Sequence, residues 1–220
     1  MASRKEIIGA THDFHNQDYA IDWEARYRDH TNRQILFRDI GDLIQATLNK
    51  NATVLELGIG PGFLAHDLLN RFDNITYVGL DFSKAMLHVA NKRLRSFADR
   101  FLAVQADLTG EFTTFLETNS VVVTCWSLHD LGSAAAIRHV YSRCRNILDG
   151  ILINADFIKP VGTEYEYESG RIASEDHVEM LRELNYENVQ VIKSYEVDVG
   201  NPTPANNYTC LFAEYRSKTE

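Results

Sequence analysis

The chain has 220 residues, 45% of them hydrophobic, enough to bury one sizeable core and most simply a single domain over 1–220. A formal net charge of −9 and a pI near 5.4 argue against a binder of DNA or bulk RNA, which needs a basic face to displace counterions. Cys125, Cys144 and Cys210 have neither metal-like spacing nor the even count of a disulfide framework. With no signal-like N-terminal apolar stretch and no apolar run of bilayer length, the expectation is a soluble, cytoplasmic protein that does not engage a membrane.

Residues 12–30 are polar and aromatic, with Tyr19, Trp23 and Tyr27 at i, i+4 and i+8. Within them His12-Asp13-Phe14-His15 would put two histidines on one helical face, but no third ligand follows at a clear spacing, so no metal is expected. Residues 32–49 read as an amphipathic helix, with Ile35, Leu36, Ile40, Leu43, Ile44 and Leu48 on one side.

The stretch 54–65 is the most informative of the chain. Val54-Leu55-Glu56-Leu57 reads as a buried strand, glycines at 58, 60 and 62 form a turn, and Phe63 to Leu69 has helical spacing. Strand, glycine turn and helix together hold nucleotide-type ligands at a helix N-terminus. The pattern is G-x-G-x-G, however; a dinucleotide fingerprint would place its third glycine where Phe63 stands, and no Gly-Lys-Ser/Thr marks a P-loop. Glu56 beside the turn would repel a pyrophosphate and attract an ammonium group.

Further on, Ile75 to Asp81 alternates as a second strand ending in an acid, and Ser83 can cap a helix bearing Met86, Leu87 and Ala90 on one face. Phe101 to Asp107 is a third strand ending in an acid. Ser120 to Leu131 is a β-branched strand running into the polar loop Ser127-Leu128-His129-Asp130. Ser133 to Leu148 is helical, and Asp149-Gly150 turns into a fifth strand, Ile151 to Phe157. An irregular segment, 159–173, precedes a helix capped by Ser174 with Val178, Leu181 and Leu184 inward. Two final strands, 189–192 and 208–213, flank a Gly200-Asn201-Pro202-Thr203-Pro204 turn suited to an antiparallel hairpin. Such alternation predicts a mostly parallel sheet covered on both faces and joined by right-handed crossovers.

Glu56-Leu57-Gly58-Ile59-Gly60-Pro61-Gly62 resembles the first motif of the class I S-adenosylmethionine (SAM)-dependent methyltransferases, and the order and spacing of the next three strands over roughly residues 52–158 match that family. The resemblance implies an α/β three-layer sandwich with a seven-stranded sheet in the order 3-2-1-4-5-7-6, residues 51–220 as core and 1–50 as a helical lid. It implies SAM as cofactor, S-adenosylhomocysteine (SAH) as product, and a cofactor site built from Glu56, Gly58, Ile59, Gly60, Gly62, Asp81, Phe82, Met86, Asp107, Leu108, Cys125 and Trp126. Asp81 would hold the ribose hydroxyls and Asp107 the adenine amino group. Arg26 is the first candidate for the cofactor's carboxylate and Arg33 the second.

On the acceptor side, His129 can take a proton near neutral pH or merely shape its loop. Asp156 ends the fifth strand on the same edge, and His177 is either a further candidate or an ordinary solvated residue. Tyr19, Trp23, Trp126, His129 and Asp156 are the expected substrate contacts. No Asn/Asp-Pro-Pro-Tyr/Phe follows the fourth strand and no Pro-Cys nucleophile is present, which disfavours nucleobase acceptors. The expectation is O- or N-methylation of a small molecule by in-line displacement, the protein acting as a monomer or homodimer. Aromatic and acidic residues around Trp23, Trp126, Glu164, Tyr165, Glu166 and Tyr167 suit an amine or a ring-bearing acceptor. Aminopropyl transfer, SAM modification, or SAM binding without transfer are the alternatives.

Overall fold

The computed structural model describes residues 12–28, 31–47, 51–112, 119–159, 169–196 and 208–215. Glu164, Tyr165, Glu166, Tyr167 and the 200–204 turn lie outside the described residues. After a short 3-10 turn at Asp13–His15, two helices, α1 (Gln17–Tyr27) and α2 (Thr31–Thr47), precede the first strand. Asn16 caps α1 by accepting from the N–H groups of Asp18 and Tyr19. Alternation follows as β1 (Ala52–Leu57), α3 (Phe63–Arg71), β2 (Ile75–Asp81), α4 (Lys84–Arg93), β3 (Phe101–Gln105), β4 (Asn119–Cys125), α5 (Ala134–Ile147) and β5 (Leu148–Phe157). The chain closes with α6 (Ser174–Glu183), β6 (Gln190–Glu196) and β7 (Tyr208–Tyr215).

The sheet runs β3-β2-β1-β4-β5-β7-β6. Its first five strands are parallel, while β7 pairs antiparallel with both β5 and β6. Because side chains alternate along a strand, each central strand feeds two cores. Val54, Tyr77, Val121, Val123, Ile151 and Ile153 pack against α2, α3 and α4. Leu55, Leu57, Leu80, Val122 and Leu152 pack against α5 and α6 on the other face.

Three local readings change. The fifth strand starts at Leu148, whose backbone is extended directly at the end of α5, rather than after Asp149-Gly150. Ala173, not Ser174, occupies the cap position of α6; its N–H donates to the Asp176 carboxylate, while Ser174 is already helical. The inward face of α6 is turned by one residue: His177, Met180 and Leu181 are buried, whereas Val178 is half-buried. No helix among the described residues is long and apolar enough to cross a membrane.

The register sets the ends of the parallel strands side by side: Leu57 lies opposite Leu80 and Thr124, Asp81 opposite Gln105, and Cys125 opposite Ala155. One edge of the sheet therefore collects the loops that follow β1, β2, β3, β4 and β5. The order reverses between β1 and β4, the place where open α/β sheets bind ligands.

Candidate active site

The turn after β1 is built on the Leu80 carbonyl, which accepts from both Gly58 N–H and Ile59 N–H at 2.8 Å. Gly58 has φ +74, and a Cβ there would lie 1.9 Å from Ser127 Oγ. Gly60 has φ +53, and an added Cβ would meet nothing within 4 Å. Here the chain presents bare backbone to open space, which lets a ligand approach closely. Asp81 braces this turn: one carboxylate oxygen accepts from Gly60 N–H and the other from Ser83 N–H, each at 2.8 Å. Burial raises the Asp81 pKa, and the two N–H donors oppose that shift.

Other expected cofactor residues take varied places. Glu56 is 2% exposed and accepts from the Tyr77 hydroxyl at 2.7 Å. Burial pushes it up to about 8, against the Tyr77 bond and with the help of the Asp81 charge. Ile59 turns inward against Gly79, so its contribution to the edge is its backbone. Gly62 caps α3 in the left-handed region. Leu108 is buried, and Met86 packs with Ala20, Ala85 and Val89 beneath α1. Asp107 is exposed, with one oxygen accepting from the N–H and hydroxyl of Thr109. Cys125 is half-buried and free, with its thiol pushed far up by burial.

The N-terminal segment lies over this edge. Ser83 Oγ donates to the Phe14 carbonyl, and the His15 ring meets Phe82 edge-on at 5.0 Å. Glu24 of α1 accepts from Arg28 and from Arg93 of α4, and Arg93 Nε donates to the Pro61 carbonyl at 2.9 Å in the glycine turn. Tyr19 and Trp23 are half-buried, and Trp23 faces Phe14, Tyr27 and Phe63.

Arg26, the first carboxylate candidate, is exposed; its Nε bonds the Asp22 carbonyl of its own helix, and its guanidinium lies near the Tyr19 and Tyr27 rings. It sits on the solvent side of α1, whereas the second candidate is enclosed. Arg33 is 5% exposed. Its guanidinium lies 4.5 Å from the Phe63 centroid, 5.1 Å from Trp126 and 5.4 Å from Trp23, and it donates to the Tyr27 carbonyl at 2.7 Å. Burial lowers its pKa to about 10, which leaves the cation intact at neutral pH.

Beyond Trp126 the loop turns back on β5. His129 Nδ1 lies 2.7 Å from Asp156 Oδ1, and His129 N–H donates to Asp156 Oδ2 at 2.9 Å. Asp156 also accepts from Phe157 N–H. A carboxylate can only accept, so the proton sits on Nδ1 and leaves Nε2 with its lone pair. Asp130 Oδ1 lies 3.4 Å from Nε2. Burial alone would disfavour a charged His129, yet Asp156, Asp130 and the short bond to Asp156 hold its pKa above the ordinary value. His129 is 8% exposed and Asp156 is 0% exposed. Asp156 is thus too deeply buried to touch a substrate, and the structure corrects that expectation: it orients His129.

His177 is also corrected. Rather than solvated or at the edge, it is fully buried between α5 and α6, where its Nδ1 is 2.9 Å from the Tyr141 hydroxyl. Burial pushes its pKa down to about 4. Tyr141 in turn accepts from Asn154 Nδ2. This is a packing network behind the edge.

Phe157, Arg171 and Phe63 were not singled out from the sequence. Trp126, itself at φ +52, stacks on Phe157 with centroids 5.2 Å apart and planes within 10°. Arg171 lies 4.9 Å over the Phe157 ring, and His129 meets that ring edge-on at 5.1 Å. Phe157 follows Asp156 on an alternating strand, a usable signal; Arg171 comes from an irregular segment with no periodicity to flag it. Among the described residues no group of three or more His, Cys, Asp or Glu is placed to hold a metal.

A methyltransferase domain family matches residues 54–149, from β1 into the start of β5. No curated protein sequence matches significantly. Among solved structures, the chain is similar to the CurJ carbon methyltransferase (TM-score 0.71, 16% identity, 91% of this chain and 59% of that one). It is similar to magnesium protoporphyrin IX methyltransferase from Synechocystis PCC 6803 with bound SAH (0.70, 15%, 93% and 96%). A third is phosphoethanolamine N-methyltransferase 2 from Haemonchus contortus (0.70, 13%, 92% and 58%). The chain therefore spans less than two thirds of the first and third of these proteins and nearly all of the second. These likenesses establish a shared fold, and the domain match falls on the segment that carries the glycine turn, Asp81 and His129. Residues 54–149 thus match a methyltransferase domain family, and the chain shares the fold of S-adenosylmethionine-dependent methyltransferases.

Proposed function

We propose that this protein transfers a methyl group to a hydroxyl or amine of a small molecule, with His129 as the proton acceptor. The observation that carries this reading is the His129–Asp156 pair standing on the same sheet edge as the open glycine turn. The turn fits the cofactor: Gly60 leaves room that a side chain would fill, and Asp81 keeps acceptor capacity beyond its two N–H donors. Gly58 to Gly62 would hold the amino-acid part with backbone, Asp81 the ribose, and Phe82, Asp107 and Leu108 the adenine. Arg33 supplies a fixed cation for the carboxylate, set among Trp23, Phe63 and Trp126. The bound cofactor supplies an electrophilic methyl group on a sulfonium.

Transfer needs donor and acceptor close and aligned. Trp126 and Phe157 stand beside His129, stacked on one another, with the Phe157 ring edge-on to the imidazole. As the new bond forms, the acceptor's proton passes to Nε2 of His129. The imidazolium is then held between Asp156 at Nδ1 and Asp130 at Nε2. Asp156, bonded to Nδ1, keeps the ring in the tautomer that can accept. A base of this kind is most useful for a hydroxyl acceptor, which must lose its proton early; an amine is the lesser need.

We infer a single domain over 1–220, residues 1–50 serving as lid, that works in the cytoplasm as a monomer or homodimer on small molecules rather than nucleic acid. The test is a screen of hydroxyl- and amine-bearing metabolites with methyl-labelled SAM, His129→Gln being run in parallel. Label transfer that collapses in the variant, while SAH still binds, supports the reading. Equal transfer by both proteins would remove His129 from the chemistry.

A further inference from the structure

We propose that His15, on the lid turn, is a cofactor-binding residue that closes over the ribose from the side opposite Asp81. This rests on the cofactor reading above and adds a contact from a segment outside the matched domain.

Three observations converge on His15. The first is anchorage: Ser83 Oγ donates to the Phe14 carbonyl while Ser83 N–H donates to Asp81. One residue therefore fixes both the lid turn and the acid at the end of β2. The second is placement. The His15 ring stands edge-on to Phe82 at 5.0 Å and 90°, and it lies near the Asp81 carboxylate. The third is an orphaned atom. His15 Nε2 is buried and has no hydrogen-bond partner among the described residues.

A buried imidazole nitrogen without a partner is costly, and most such atoms in folded proteins are satisfied. Asp81 has the complementary surplus. Each of its oxygens takes one described N–H and can accept more. A group that meets both needs must donate to the carboxylate and also bond an imidazole nitrogen. A vicinal diol does this: each hydroxyl has one O–H and two lone pairs. An ammonium, a donor only, would leave a protonated Nε2 unmet, and a carboxylate would be repelled by Asp81, whereas a diol meets Nε2 in either protonation state. His12, on the same turn, does not compete for this role. Its Nδ1 accepts from Phe14 N–H, and its ring stands near Asp130 rather than Asp81. The two histidines of the His-Asp-Phe-His run thus face two different acids, His15 on the cofactor side and His12 on the acceptor side.

The test is calorimetric titration of wild type, His15→Ala and His15→Gln with SAH and with an SAH analogue lacking both ribose hydroxyls. His15→Ala should bind SAH about tenfold more weakly, the scale of one well-made hydrogen bond. His15→Gln, whose amide reaches the Nε2 position, should recover most of that loss. With the analogue, all three proteins should bind alike. Equal weakening of both ligands by His15→Ala would mean that the residue only packs the lid, and unchanged SAH binding would remove it from the site; either result overturns the proposal. If wild type itself bound no SAH, the cofactor reading would fall first and this contact with it.

Discussion

Asp156 decides what His129 can do. With a buried carboxylate at Nδ1, the ring can only accept at Nε2, and the imidazolium is favoured. A base must be neutral to act, so turnover should rise with pH through a value above the ordinary histidine range. Asp156→Asn removes the charge that raises His129, so this acid limb should move to lower pH. The maximal rate should still fall by about 10²- to 10⁴-fold, because the amide permits the wrong tautomer and cannot stabilise the cation. An acid limb that stays in place would show that another group titrates. The two arginines make a second contrast. Arg33→Ala should weaken SAH binding by at least about tenfold, on the scale of a hydrogen bond to a charged group, and Arg26→Ala should leave the dissociation constant unchanged. The reverse outcome in titrations would restore Arg26. At this scale the sequence placed His129 and Asp156 on one edge, because both end strands of legible pattern, but it could not pair them. The Tyr19, Trp23, Tyr27 spacing drew attention to α1 and hence to Arg26. Arg33 reaches the aromatic cluster from the next helix, a tertiary contact that no local period encodes.

Among the elements, the parallel strands were the most readable. Val54 to Leu57, Ile75 to Asp81 and Ser120 to Cys125 carry dense apolar or β-branched residues bounded by polar turns. Helix α6 was less readable because its buried face includes a histidine, acceptable there only since the Tyr141 hydroxyl meets its ring. Helix α1 is held over the edge by Glu24, whose carboxylate is kept below its usual range by the Arg28 bond, against partial burial and with Arg93 adding to the effect. Arg93 in turn grips the Pro61 carbonyl. This latch joins lid and glycine turn, so loosening it should speed lid opening. Glu24→Gln should accelerate SAH release by about 2- to 10-fold, as expected for a partly exposed ion pair, with a smaller change in the association rate. Stopped-flow displacement would measure both; an unaltered release rate would show that the lid is held by its aromatic contacts alone.

Across the whole molecule, two buried groups, one in each core layer, pull stability in opposite directions. Glu56 lies in the layer under α2 and α3, hydrogen-bonded to Tyr77; His177 lies in the layer under α5 and α6, against Tyr141. Glu56 has its pKa raised from 4.5 to about 8. Its contribution to stability is complete below 4.5 and is lost as pH climbs toward 8, because the unfolded chain releases the proton first. His177 has its pKa lowered from 6.5 to about 4. Its contribution is complete above 6.5 and is lost as pH falls toward 4. Between 4.5 and 6.5 the two slopes oppose one another. Above 6.5 the Glu56 slope persists, at most about 1.4 kcal/mol per pH unit for a single group, and His129, also raised, acts in the same direction. Stability should therefore decline from pH 6.5 to 8. Glu56→Gln keeps an acceptor for the Tyr77 hydroxyl but cannot ionise. Relative to wild type, its thermal midpoint should rise steadily from pH 4.5 to 8, the remaining decline belonging to His129. His177→Gln should instead flatten the loss on the acid side and leave the alkaline side as it was. If the Glu56→Gln and wild-type curves ran parallel across this range, Glu56 would be ionised in the folded protein, and its burial would have to be balanced by a cation brought to the glycine turn.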